Sequence, residues 1–116
     1  MVVANILTGV VAVLHIGFLV LEMFFWDRPL GRRIFRTTPE FSQASAVLAA
    51  NQGLYNGFLA AGLIWGLISS QISIILFFLA CVLIAGVYGG FTAGRRILYV
   101  QALPAAIALI AVILSG

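Results

Sequence analysis

The chain has 116 residues, 64% of them hydrophobic and 8% charged. That is more apolar surface than a soluble domain of this length can hide, which leaves an integral membrane protein with one small domain, 1–116. The net charge of +3 comes from six arginines and no lysine. They sit in two short patches between apolar stretches, so they read as signals of membrane orientation and no nucleic-acid partner is expected. The lone Cys81 excludes an intrachain disulfide. One histidine and one cysteine are too few for structural zinc, so no metal site is expected.

A spanning helix needs about 20 apolar residues. The first stretch, MVVANILTGVVAVLHIGFLVLEMFFW, lacks a basic start and is longer than the core of a secretory signal, so it reads as a retained helix over 3–26. It ends at aromatics, as a helix does on reaching the headgroup layer. A second span is expected over 44–68, preceded by TTPE. There Thr37 or Thr38 caps, Pro39 suits a first turn and Glu40 complements the helix dipole. The uncharged break SSQIS leads to a third span over 71–92, and Gly94–Arg95–Arg96 separates it from a fourth over 97–114. Pro104 in that last span marks a kink that frees a carbonyl near Gln101.

With four spans, loops 27–43 and 93–96 share one side and hold all six arginines. Both termini and the second loop hold none. Arginine stays in the cytoplasm, so the expected architecture is an all-α, four-transmembrane-helix bundle of the cell (inner) membrane with both termini on the non-cytoplasmic side. A bias this large also argues against insertion in two orientations. Glycines four apart, Gly53 and Gly57, Gly62 and Gly66, then Gly86, Gly90 and Gly94, let helices approach closely within the bundle or across a homo-oligomer seam.

Polar residues break this apolar pattern in one zone. At ~1.5 Å per residue, His15 falls near the midplane and Glu22 about 10 Å further toward the cytoplasm, seven residues on and so on nearly the same face. In the antiparallel second span, Asn51 and Gln52 enter at the depth of Glu22 and Asn56 arrives at that of His15. Gln52, Tyr55 and Asn56 share a face. Tyr88 and Thr92 close the third span at this level, where Tyr99 and Gln101 begin the fourth. The outer half is apolar apart from Asn5 and Thr8. The expectation is a polar pocket facing the cytoplasmic leaflet, with His15 and Glu22 as candidate catalytic groups and Asn51, Gln52, Tyr55, Asn56, Tyr88 and Gln101 as ligand-binding candidates.

HIGFLVLEMFFW, AANQGLYNGFLAAGLIWG, CVLIAGVYGGFT and VQALPAAIALI together resemble domain-of-unknown-function family 1304, small membrane proteins of bacteria and fungi. The resemblance covers nearly the whole chain, and NQGLYNGFLAAGL is long enough to be specific. It implies four transmembrane helices and no particular activity. Small multidrug-resistance transporters share the length, the four spans and a glutamate in the first. There Glu22 would have to lie earlier, and no arginine-rich loop would follow it.

Three functions fit these residues. In the first, the pocket binds or acts on a small lipophilic molecule reached from the inner leaflet: His15 and Glu22 serve as acid/base pair or anchors, and the amides orient polar groups. No nucleophile elbow, phosphate-cradling loop or metal quartet names a reaction. A haem on His15 would need a dimer, and no cofactor is identified. The second function is proton-coupled transport through Glu22 and His15, although the apolar outer half argues against a static channel. The third is a membrane scaffold, with the polar cluster as interhelical glue.

Overall fold

Helices take up most of the chain, and no strand forms, in the computed structural model, which describes residues 1–116. The first, α1, runs Val2–Phe24. No proline interrupts it, and the hydroxyl of Thr8 donates to the Ala4 carbonyl 2.8 Å away, which satisfies a polar group inside an apolar helix. Two short helices follow. Pro29 opens α2 (Pro29–Phe35) at a position where its missing N–H costs nothing, and Arg36 closes it in the left-handed conformation, φ 57°. Thr38 caps α3 (Pro39–Ala44), its hydroxyl accepting from the Phe41 N–H at 3.1 Å. The stretch expected as an open arginine-rich loop is therefore largely helical. The cap on Thr38 serves α3, not the long helix behind it.

That long helix, α4, spans Ala46–Ile68, and α5 spans Ile72–Thr92. After Gly94 a single turn, α6 (Arg95–Ile97), passes into a π-helical turn over Leu98–Ala102 and then into α7 (Leu103–Ser115). The Leu103 N–H reaches back five residues to the Leu98 carbonyl. Pro104 explains this: it has no N–H to give, and its ring crowds the carbonyl four residues earlier, so the ladder loosens there. The disturbance expected at Pro104 takes the form of a π-turn directly before it.

Three helical stretches are long and apolar enough to cross a membrane: Val2–Phe24, Ile72–Thr92 and Arg95–Ser115. Helix α4 equals α1 in length, at 23 residues, but does not join them. Asn51, Gln52, Tyr55 and Asn56 dilute its apolar character.

The chain divides into two units, and α1 and α4 each run through both. One unit is Leu14–Phe58. Here the Trp26 indole N–H donates to Ser45 Oγ at 3.0 Å, and its ring lies 4.9 Å from that of Phe35. Asp27 accepts from Arg32 at 2.9 Å and from the Ser42 hydroxyl at 2.7 Å. These bonds tie α2 and α3 to the end of α1. Gly53 lies against Glu22 and Met23, and Gly57 against Leu19, so α1 and α4 approach where α4 has no side chain.

The other unit is Met1–Val13 with Leu59–Gly116. It holds the apolar core, in which Leu63, Leu79, Val82, Ala105 and Ala108 are fully enclosed. Gly86 faces the backbone of Ala102, Gly90 faces Leu98, and Gly62 and Gly66 face Phe78 and Ile75. The glycine ridges of α4 and α5 are thus occupied by neighbours within the chain.

Candidate functional site

A carboxylate and two amides meet between α1 and α4. The Gln52 side-chain N–H donates to Glu22 Oε2 at 2.6 Å, and that of Asn56 donates to Glu22 Oε1 at 2.5 Å. Each carboxylate oxygen thus receives one charge-assisted bond, the stronger kind of hydrogen bond. Gln52 and Asn56 are four apart, one turn on one face of α4, and so can grip the carboxylate together. Gly53 between them lets the backbone of α4 come up against the base of Glu22.

Burial differs across the triad. Glu22 is 4% exposed and Asn56 8%, whereas Gln52 is open at the surface. Arg32, in the arginine-rich segment nearby in sequence, pairs with Asp27, and Glu22 is held by amides alone. Nothing here resembles a reactive ion pair. The arrangement can hold a carboxylate in an apolar segment.

The other expected residues are placed as follows. His15, on the same face of α1 as Glu22, is completely buried, its ring 5.0 Å from that of Phe18 in an edge-on contact. Asn51 donates to the Val47 carbonyl of its own helix at 2.9 Å. Tyr55 is 66% exposed and contacts the Phe58 ring. In the second unit, Tyr88 is exposed on α5, and its carbonyl accepts from the Thr92 hydroxyl at 2.8 Å. Gln101 is half-buried within the π-turn.

Two points differ from the depth reading. Gln52 meets Glu22 as expected, but Asn56, expected at the depth of His15, reaches Glu22 as well: four residues of α4 rise only about 6 Å, against about 10 Å for the seven from His15 to Glu22. And the three amides of α4, Asn51, Gln52 and Asn56, bind Glu22 or their own helix. The groove that does form, in the second unit, is lined by Leu83, Leu98, Tyr99, Ala102, Leu103 and Ala106, none of them an expected ligand or catalytic residue. Ser42 and Asp27 were not singled out from sequence. The signal for them was the acid at the end of an aromatic helix terminus, with hydroxyls in the helix that follows.

The chain is 32% identical over 109 residues to the uncharacterized protein YpaA of Lactococcus lactis subsp. lactis, a match covering 90% of this chain and 92% of that one. No solved structure matches. The triad residues lie inside the segment 9–113 that matches the model of one family, and with that match the chain belongs to the family described as protein of unknown function (DUF1304).

Proposed function

We propose that this is a multi-pass protein of the cell membrane with four spans and both termini outside, whose Glu22–Gln52–Asn56 triad binds the polar group of a small lipophilic molecule arriving from the cytoplasmic leaflet. The observation that carries the reading is the convergence of three polar side chains from two helices in an otherwise apolar setting. A carboxylate there is costly, and a bridge between helices needs only amides. In this reading Gln52, the exposed member, yields its place at Glu22 Oε2 to a hydroxyl or amine of the ligand. Asn56 keeps the other oxygen in position. His15, deeper along the same helix, is the second group available to such a ligand, and proton-coupled transport would use the same pair.

The saturation of Glu22 favours a second reading, in which the triad is only interhelical glue and the protein a scaffold. One experiment separates them. Wild type and Glu22→Gln are gently solubilised and compared by native mass spectrometry and small-molecule extraction, with melting temperatures measured alongside. The ligand reading expects a specific compound that is lost in the variant while the fold persists. Bulk lipid alone in both samples, with a lowered melting temperature in the variant, would replace it with the scaffold.

A further inference from the structure

The groove in the second unit has a volume of about 280 Å³ and lies open to the side between α5 and the last span. Its origin is local. Gly90 and Gly86 bring α5 close to Leu98 and Ala102, while alanines at 102 and 106 supply too little side chain to fill the space beside Leu83 and Leu103. The lining is apolar, and the volume is at the small end for ligand sites. It suits one flexible hydrocarbon chain lying along a helix and does not suit an enclosed polar solute.

The residues that lead into the groove's lining in the chain are basic. Arg95 stands four residues before Tyr99 and Arg96 three, so both lie about one turn from it on the same side of the helix. Both arginines are exposed, as is Tyr99. All three acidic residues of the chain, Glu22, Asp27 and Glu40, belong to the other unit. The unit that holds the groove therefore carries arginines just before the groove's lining and no acidic side chain. Basic residues at the membrane surface above an apolar cleft are suited to an anionic lipid headgroup.

We propose that this groove and its two arginines bind one anionic phospholipid, with an acyl chain along Leu83, Ala102, Leu103 and Ala106 and the phosphate on Arg95 and Arg96. Tyr99 sits at the interface between them, where tyrosine is favoured. The proposal shares no residue with the Glu22 triad and stands or falls apart from it.

The test is native mass spectrometry of the full chain in detergent with equimolar phosphatidylglycerol and phosphatidylcholine of matched acyl chains. Each arginine that meets the lipid phosphate contributes roughly fivefold toward an anionic lipid. Wild type is therefore expected to retain phosphatidylglycerol over phosphatidylcholine by roughly 25-fold, and the double variant Arg95→Gln with Arg96→Gln to retain them nearly equally. Arg33→Gln, in the other arginine patch, leaves the ratio unchanged. Ala106→Phe fills the groove and reduces retention of both lipids, with Ala106→Leu as the smaller change should the first not fold. A wild-type ratio near one would overturn the proposal. So would an effect of Arg33→Gln equal to that of the double variant, or full retention in a folded groove-filling variant.

Discussion

Glu22 is the only carboxylate within the long helices, and its two oxygens are treated alike by partners that are not alike. Asn56 is buried and Gln52 is exposed. Removing Asn56 leaves a buried oxygen without a donor, at about 2 kcal/mol for a charged group. The bond from Gln52 involves an exposed side chain, so its loss is expected to cost less. Asn56→Leu is therefore expected to lower the melting temperature in detergent clearly more than Gln52→Leu, and equal losses would mean that the two bonds are equivalent. This asymmetry was not legible in the sequence, which offered both amides as candidates. What was legible was the pairing of His15 with Glu22 on one buried face, since seven residues bring a helix back almost to its starting angle. Tyr55 shows the limit of that logic. It is three from Gln52 and one from Asn56, so about 100° of rotation separates it from the latter, and it ends exposed. Asn51 needs no partner from another helix because its own helix supplies a carbonyl.

At the scale of elements, the long helices were readable from length and hydropathy, and their ends moved by only a few residues. The short helices were not. In α2 the arginines read as charge for orientation, although Pro29 also sits where a helix begins. The break at Ser45, between α3 and α4, has no proline or glycine to announce it. It coincides with the bond that Ser45 accepts from Trp26, a contact 19 residues away in the chain. Glycine spacing predicted close approach but not what approaches, and here the partners decide the energetics. A methyl group on Gly86 would meet the Ala102 backbone, with its nitrogen at 2.6 Å and Cα at 2.8 Å. Backbone can give only by moving α5 against the π-turn. At Gly57 the methyl would meet the end of the Leu19 side chain, which can change rotamer. Gly86→Ala is thus expected to cost about 1–3 kcal/mol, as overpacking does, and Gly57→Ala clearly less, by thermal unfolding of both variants. The reverse order would place the tight helix contact in the wrong unit.

For the whole molecule, the number of spans turns on α4. Three helical stretches are apolar enough to cross a membrane and α4 is not among them, yet its 23 residues reach about 35 Å, enough for the hydrocarbon core. What lowers its hydropathy is the polar group of Asn51, Gln52 and Asn56, and each of these amides donates a hydrogen bond within the protein. That offsets much of the cost of burying them in lipid. The arginines provide an independent argument. If α4 did not cross, α5 alone would separate Arg28–Arg36 from Arg95 and Arg96 and put the two patches on opposite faces. With α4 crossing, both share one face, as the distribution of positive charge in membrane proteins favours. Single cysteines at Thr38, Ser70, Gly94 and Ser115, in a Cys81→Ser background, discriminate the two arrangements with a membrane-impermeant maleimide. Ser70→Cys and Ser115→Cys are expected to label in intact cells, and Thr38→Cys and Gly94→Cys only after permeabilisation. Labelling of Thr38→Cys and Gly94→Cys from opposite sides would mean that α4 stays on one face, and would leave the Glu22 triad outside the span it is proposed to serve.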